Sequence, residues 1–144
     1  VSKAYEALTD LKTKLQSIAG LETRVFICYE PADLDRQVLG VAGTTIGVVY
    51  GGLRSVSEPG TAKHGTSSVG QFMVFMKHDT PPFTNADNKG PALDTLERMR
   101  QVIMYKNSPT GHKWRFVSES MATSSKEKTV WMQVYDTPIQ LGPV

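Results

Sequence analysis

The stretch GQFMVFMK, Gly70 to Lys77, limits the fold more than any other, because Phe72 to Met76 is apolar at every position. A strand with one wet face alternates apolar and polar side chains, so an unbroken apolar run asks for cover on both faces. The next residues are polar and proline-rich, HDTPPFTNADNKG, and lead into an amphipathic helix, PALDTLERMRQVIMY. That helix can close one face. A chain of 144 residues, enough for one domain, has little left with which to close the other.

The flanking segments supply partners for this strand. Ser2 to Ala19 carries Ala4, Leu8, Leu11, Leu15 and Ile18 on one helical stripe, and Gly20 is placed to stop it. A short strand is predicted over Thr23–Tyr29, then a loop at EPADLDRQ. A second strand is predicted in GTTIGVVYGGLRSV, where the glycines at 47, 51 and 52 mark a bulge or a close backbone approach. The second helix is predicted from Pro91 to about Tyr105, with Leu93, Leu96, Met99 and Ile103 on its apolar stripe. Trp114 and Phe116 alternate with polar residues in a further strand. The segment ESMATSSKEKT reads as a polar loop, and Val130 to Tyr135 as the last strand before an extended tail. The expected fold is α+β: a mostly antiparallel sheet of about five strands packed with two helices, in the order α-β-β-β-α-β-β. It forms a single domain over residues 1–144, with mobile loops near 54–68, 78–90 and 118–129.

Composition narrows the setting. One cysteine, Cys28, excludes an intrachain disulfide, and its neighbours Val25, Phe26 and Ile27 make it a buried strand thiol. The opening VSKAYEALTD is not a basic-then-apolar leader. The longest weakly polar run, Val38 to Tyr50, is too short to span a bilayer, so a soluble protein with no membrane partner is expected.

Catalytic arrangements are weakly represented. His64, His78 and His112 have no spacing that stacks two imidazoles on one helical face, and Asp33–Asp35 reads as a solvated acidic loop rather than a cation site. Ser125–Lys128 matches S-x-x-K in letters only, and there is no G-x-S-x-G elbow. GTAKHGTSS and GVAGTTIGVVYGG lack the spacing of phosphate loops. No enzymatic activity and no cofactor or metal are expected. The clearest electrostatic feature is the run from Arg98 to Arg115, which holds five basic residues and no acid: Arg98, Arg100, Lys106, Lys113 and Arg115. Lys113 and Arg115 flank Trp114 as in a strand that tracks a phosphate backbone. The same pattern also suits the polar face of a half-buried strand with Trp114 in the core.

The order of elements carries more than any motif. The opening helix running into LKTKLQSIAGLETRVF, the strand GQFMVFMK, the helix ALDTLERMRQVI and the late pair KWRFVSES and KTVWMQVYDTPI resemble the phage tail terminator (tail-completion) proteins across nearly the whole chain. The resemblance implies a structural virion protein at the tail–neck junction, assembled in the host cytoplasm. It would form a homo-hexameric ring at the head-proximal end of the tail tube, ending tube polymerisation and acting as a connector to the neck. Its implied partners are other copies of itself, the tube protein and a neck or head-completion protein, with DNA passing the lumen without sequence-specific binding. No residue motif transfers with it. The candidate inter-subunit contacts are therefore the polar-loop residues Arg54, Lys63, His64, His78, Phe83 and Asn85. The alternatives are another tail or neck subunit, or a small nucleic-acid-binding domain using Lys113, Trp114 and Arg115.

Overall fold

The structure is a computed structural model and describes residues 2–55, 66–79, 90–124 and 128–141. Helix α1 spans Lys3–Gln16, β1 Val25–Ile27, and α2 Pro31–Leu34, which runs on into a π turn, Asp35–Leu39. Strands β2, Thr45–Ser55, and β3, Thr66–Asp79, come next. Helix α3, Gly90–Ile103, leads to β4, Arg115–Ser124, and β5, Lys128–Leu141. The five strands form one mixed sheet in the order β1-β2-β3-β5-β4, antiparallel except for the β1–β2 pair. The architecture is α+β, as expected, with three helices rather than two.

Local chemistry accounts for the element ends. Ser2 caps α1 by accepting a hydrogen bond from the Tyr5 amide at 3.1 Å, and Gly20 takes a φ of 89° after the helix has stopped. β1 and β2 run parallel, which demands a crossover, and EPADLDRQ supplies it as α2 and the π turn rather than as a loop. Asp33 accepts hydrogen bonds from the Tyr29 and Glu30 amides at 3.0 and 3.2 Å, and Pro31 opens the helix where no amide is required. In β2 the register slips between Tyr50 and Gly52, the bulge that the glycines marked.

The late hairpin corrects two expectations. The described residues of ESMATSSKEKT are strand rather than loop: β4 continues to Ser124 and β5 starts at Lys128. Nor does the chain leave the sheet at Tyr135, since β5 pairs with β3 from Lys128 to Leu141, through Pro138. Pro138 is tolerated because β4 pairs with β5 only as far as Asp136, and among the described residues no strand lies on that side of β5 beyond it. The strands likewise take in both described ends of the 54–68 segment, and His78, Asp79 and Gly90 belong to β3 and α3 rather than to a loop.

α1 and α3 lie on one face of the sheet. Ala7, Leu8, Leu11 and Leu15 from α1, and Ala92, Leu96, Met99 and Ile103 from α3, close over Ile46, Val48, Phe72, Val74, Met76 and Tyr135. Leu93, expected on the buried stripe, is 54% exposed, and Ala92 holds the inward position instead. Trp114 is fully buried there, edge-on to Phe72 with ring centroids 5.3 Å apart, and its indole N–H donates to Asp10 at 2.9 Å.

Candidate assembly surface

The residues of β3 that point away from α1 and α3 are Gln71, Met73, Phe75 and Lys77, and register places Val49 of β2 beside Met73 and Val134. Met132 stands opposite Phe75, and Val130 opposite Lys77. This outer face is apolar through its middle, as the unbroken run in β3 requires.

Only one end of it is covered by a helix among the described residues. α2 and the π turn press onto Gly47, where a Cβ would meet Leu34 Cδ1 and Val38 Cγ2 at 2.9 Å; a side chain at this position would lift the crossover off the sheet. Polar anchors hold that cover. Thr45 donates to the Val38 carbonyl at 2.8 Å, and the ammonium of Lys77, 1% exposed, donates to the Val41 carbonyl and pairs with Asp79 at 2.9 Å. Asp79 in turn accepts from the Gly43 amide at 2.6 Å, and Lys128 donates to the Leu39 carbonyl at 3.3 Å. Partial burial pushes the Asp79 carboxyl up, but the hydrogen bonds from Lys77 and Gly43 and the Lys77 charge outweigh it and hold the group below the usual carboxylate range. Beyond this clamp Val49, Met73, Phe75 and Met132 stay half-buried, outside the helix-side core.

Chemistry is sparse. Among the described residues, no group of three or more His, Cys, Asp or Glu side chains could hold a metal ion, and no helix is long and apolar enough to cross a membrane. Cys28 is buried beside β1, and burial, with the nearby Asp33 charge, pushes its thiol up to about 11. A thiol so placed stays protonated at neutral pH and is a poor nucleophile. Tyr135 is also pushed up by burial, and its hydroxyl donates to Gln133 at 2.6 Å. The Gln133 amide donates to the Leu96 carbonyl at 3.0 Å and to Glu119 at 2.8 Å. That network ties α3 to β4 and β5 and has the character of a structural strut.

The residues singled out from sequence do not form one patch. Arg54 is exposed and pairs with Val69, whereas His78 lies nine residues along β3, roughly 30 Å away at strand spacing. His78 is half-buried, with Nδ1 3.4 Å from the Thr44 hydroxyl. Lys63, His64, Phe83 and Asn85 lie outside the described residues. In the basic run Arg98, Lys106 and Lys113 are exposed, but Arg100 pairs with Glu119, and Arg115 pairs with Asp136 at 2.7 Å. The fold thus brings in acids that the run itself lacks. With Trp114 in the core, its ring is not available for stacking on a base.

Two surface features have almost no signature in the sequence. A depression of about 290 Å³ opens beside the first turn of α3, walled by Leu93, Met121 and Trp131. At the other end of α3, Tyr105 takes a positive φ of 61° and is 70% exposed. Their only signal is a helix that reaches its stop at a tyrosine instead of a glycine.

No protein-family model matches the chain, and no curated protein sequence matches it. Among solved structures, its fold is similar to that of a chain in the virion of a native gene transfer agent (GTA) particle. The TM-score is 0.61 at 16% sequence identity, over 95% of this chain and 97% of that one.

Proposed function

We propose that the protein is a structural subunit of a phage-like virion, and more narrowly a tail terminator: a ring at the head-proximal end of the tail tube that ends tube growth and joins tail to neck. The observation that carries this reading is the likeness in fold, over nearly the full length of both chains, to a chain of a gene transfer agent virion. The unfinished outer face of the sheet supports it. A half-covered apolar surface of this kind suits permanent assembly, where interfaces of about 2,000 Å² or more resemble a core cut in two. An adjoining virion protein completes the face that α2 leaves open. DNA passes the ring without base readout, since two of the five basic side chains in the 98–115 run are already paired with carboxylates.

Negative-stain imaging of the purified protein with tail tube protein tests the reading. Rings seated on tube ends, with tubes that stop lengthening, are expected. A chain that stays monomeric and leaves tube ends bare overturns it. The second reading, another tail or neck subunit, is separated by deletion of the gene: loss of a terminator gives overlong tails, whereas loss of a tube protein gives none.

A further inference from the structure

Tyr105 occupies a position that glycine normally takes. It lies after the last turn of α3 in the left-handed region, where a Cβ crowds the backbone and a residue without one is favoured. Its amide donates to the Trp114 carbonyl at 3.1 Å, the Trp114 amide donates to Lys106 at 2.9 Å, and Lys106 donates to Ile103 at 3.1 Å. The backbone beneath the ring is therefore fixed, while the ring itself points into solvent at 70% exposure. A left-handed backbone under a large aromatic that is mostly exposed, at the rim of a shallow concavity with Arg100, Gln101 and Met104, adds little to the turn or the core. Such outliers are kept where the side chain has work outside the fold.

At the opposite end of α3 the chain has the complementary shape. Leu93 and Met121, 54% and 50% exposed, stand with Trp131 around the depression of about 290 Å³. A cavity of about 150 Å³ with apolar walls accepts benzene, so there is room here for one phenol ring. His78, Ser124 and Thr129 line the same depression and offer partners to a hydroxyl. An apolar body with one polar tip is what such a lining fits.

We infer that Tyr105 of one copy seats in the depression walled by Leu93, Met121 and Trp131 of a second copy, so that copies join head to tail along the ends of α3. Knob and hole cannot meet within one chain. Twelve residues of helical rise put Leu93 and Tyr105 about 18 Å apart. A contact between two different patches builds a ring when it repeats head to tail with a rotation that closes. The closed ring rests on the virion reading above, but the pairwise contact does not. The fixed backbone under Tyr105 keeps the ordering cost small, which places the residue among the few that dominate an interface.

The test is complementation between single variants, read by native mass spectrometry and light scattering, with circular dichroism as the folding control. Tyr105→Gly keeps the hole and loses the knob; Leu93→Glu keeps the knob and spoils the hole. Each alone is expected to weaken self-association on the order of 30-fold or more. An equimolar mixture restores dimers and nothing larger, because one good contact remains per pair. Tyr105→Gly is also expected to raise the urea midpoint of the monomer while it weakens assembly, a pair of opposite signs that a structural role would not give. Wild-type assembly by either variant overturns the contact, as does a mixture that stays monomeric or a wild-type chain that is monomeric both free and on tubes. If Leu93→Glu disturbs folding while Tyr105→Gly assembles normally, the depression belongs to the chain's own packing and the contact is wrong. Tubes capped equally well by Tyr105→Gly leave the tail reading standing without this contact; rings that ignore tubes leave the contact standing without the tail reading.

Discussion

The two faces of the sheet are built from the same strands and are finished to different degrees. Toward α1 and α3, Phe72, Val74 and Met76 are fully buried; toward the other side their neighbours Met73 and Phe75 are half-buried, and cover by α2 is anchored only at the Gly47 end. One strand therefore serves two purposes. Phe72, Val74 and Met76 hold the monomer together, Lys77 clamps one end of the cover, and Met73 and Phe75 hold surface in reserve. If that division is right, substitutions at adjacent positions have opposite signatures, large on folding and small on assembly for one face, the reverse for the other.

The largest effect is expected at Phe72→Ala, which removes a ring packed on both Tyr50 and Trp114. Truncating a fully buried aromatic costs about 3–5 kcal/mol, visible as a lower urea midpoint at unchanged slope. A loss under about 1 kcal/mol would mean that the helix-side core is looser than its burial indicates.

Next in size is the clamp that holds α2 over the outer face. Asp79→Asn leaves the buried Lys77 ammonium without its counter-charge, and losing a hydrogen bond to a charged group costs about 1.5–3 kcal/mol. The sign with pH comes from the depressed folded-state pKa of Asp79. Its contribution is present above the unfolded value near 3.9 and is lost as pH falls through the lower folded value. Wild type and variant should thus differ at neutral pH and converge in strong acid when urea midpoints are compared. A gap that persists unchanged below about pH 2 would assign the stabilisation to something other than the carboxylate charge.

Gly47→Ala probes the same cover by volume. The new methyl meets Leu34 and Val38 at 2.9 Å, and overpacking of this kind costs about 1–3 kcal/mol. The lower half of that range is expected, since Leu34 can turn aside. Hydrogen exchange should show the loss concentrated in residues 31–44 rather than spread through α1 and α3. Global protection loss would contradict the view of the crossover as a separate cover.

How far the sequence foretold this division depends on what each element had to signal. The apolar run in β3 announced two covered faces, and the glycines of β2 announced a bulge; both are direct consequences of strand geometry. Three features were illegible for definable reasons. ESMATSSKEKT looks like a loop because β4 is an edge strand, whose ten residues are exposed or half-exposed and twice bulged, at Val117 and Ala122; polarity and bulges keep such edges from pairing with other chains. In α3, Ala92 and Leu93 are both one turn before Leu96, so helical periodicity could not choose between them, and the larger residue was the wrong choice. EPADLDRQ lacks a long apolar stripe, and only its Pro and Asp spacing hints at a capped turn. The candidate contacts suffered most. Loop polarity pointed to Arg54 and His78, which the sheet holds at opposite ends, while Tyr105 and Leu93 gave no compositional signal at all.

The smallest effect on folding, and the one that separates the two faces most sharply, is expected from polar replacement in the middle of the outer face. Met73 and Val49 are half-buried neighbours in register, outside the helix-side core. Met73→Gln and Val49→Thr together forfeit only part of two side chains' burial, under about 1 kcal/mol in all. In an assembled particle the same two positions would lie in a closed apolar interface, where each unpaired polar group costs about 1–3 kcal/mol. The monomer should therefore unfold at close to the wild-type urea concentration while tube capping is lost. Capping at wild-type strength would show that the outer face is ordinary protein surface, and the reserve of apolar area on β3 would then need a different explanation, within the chain itself.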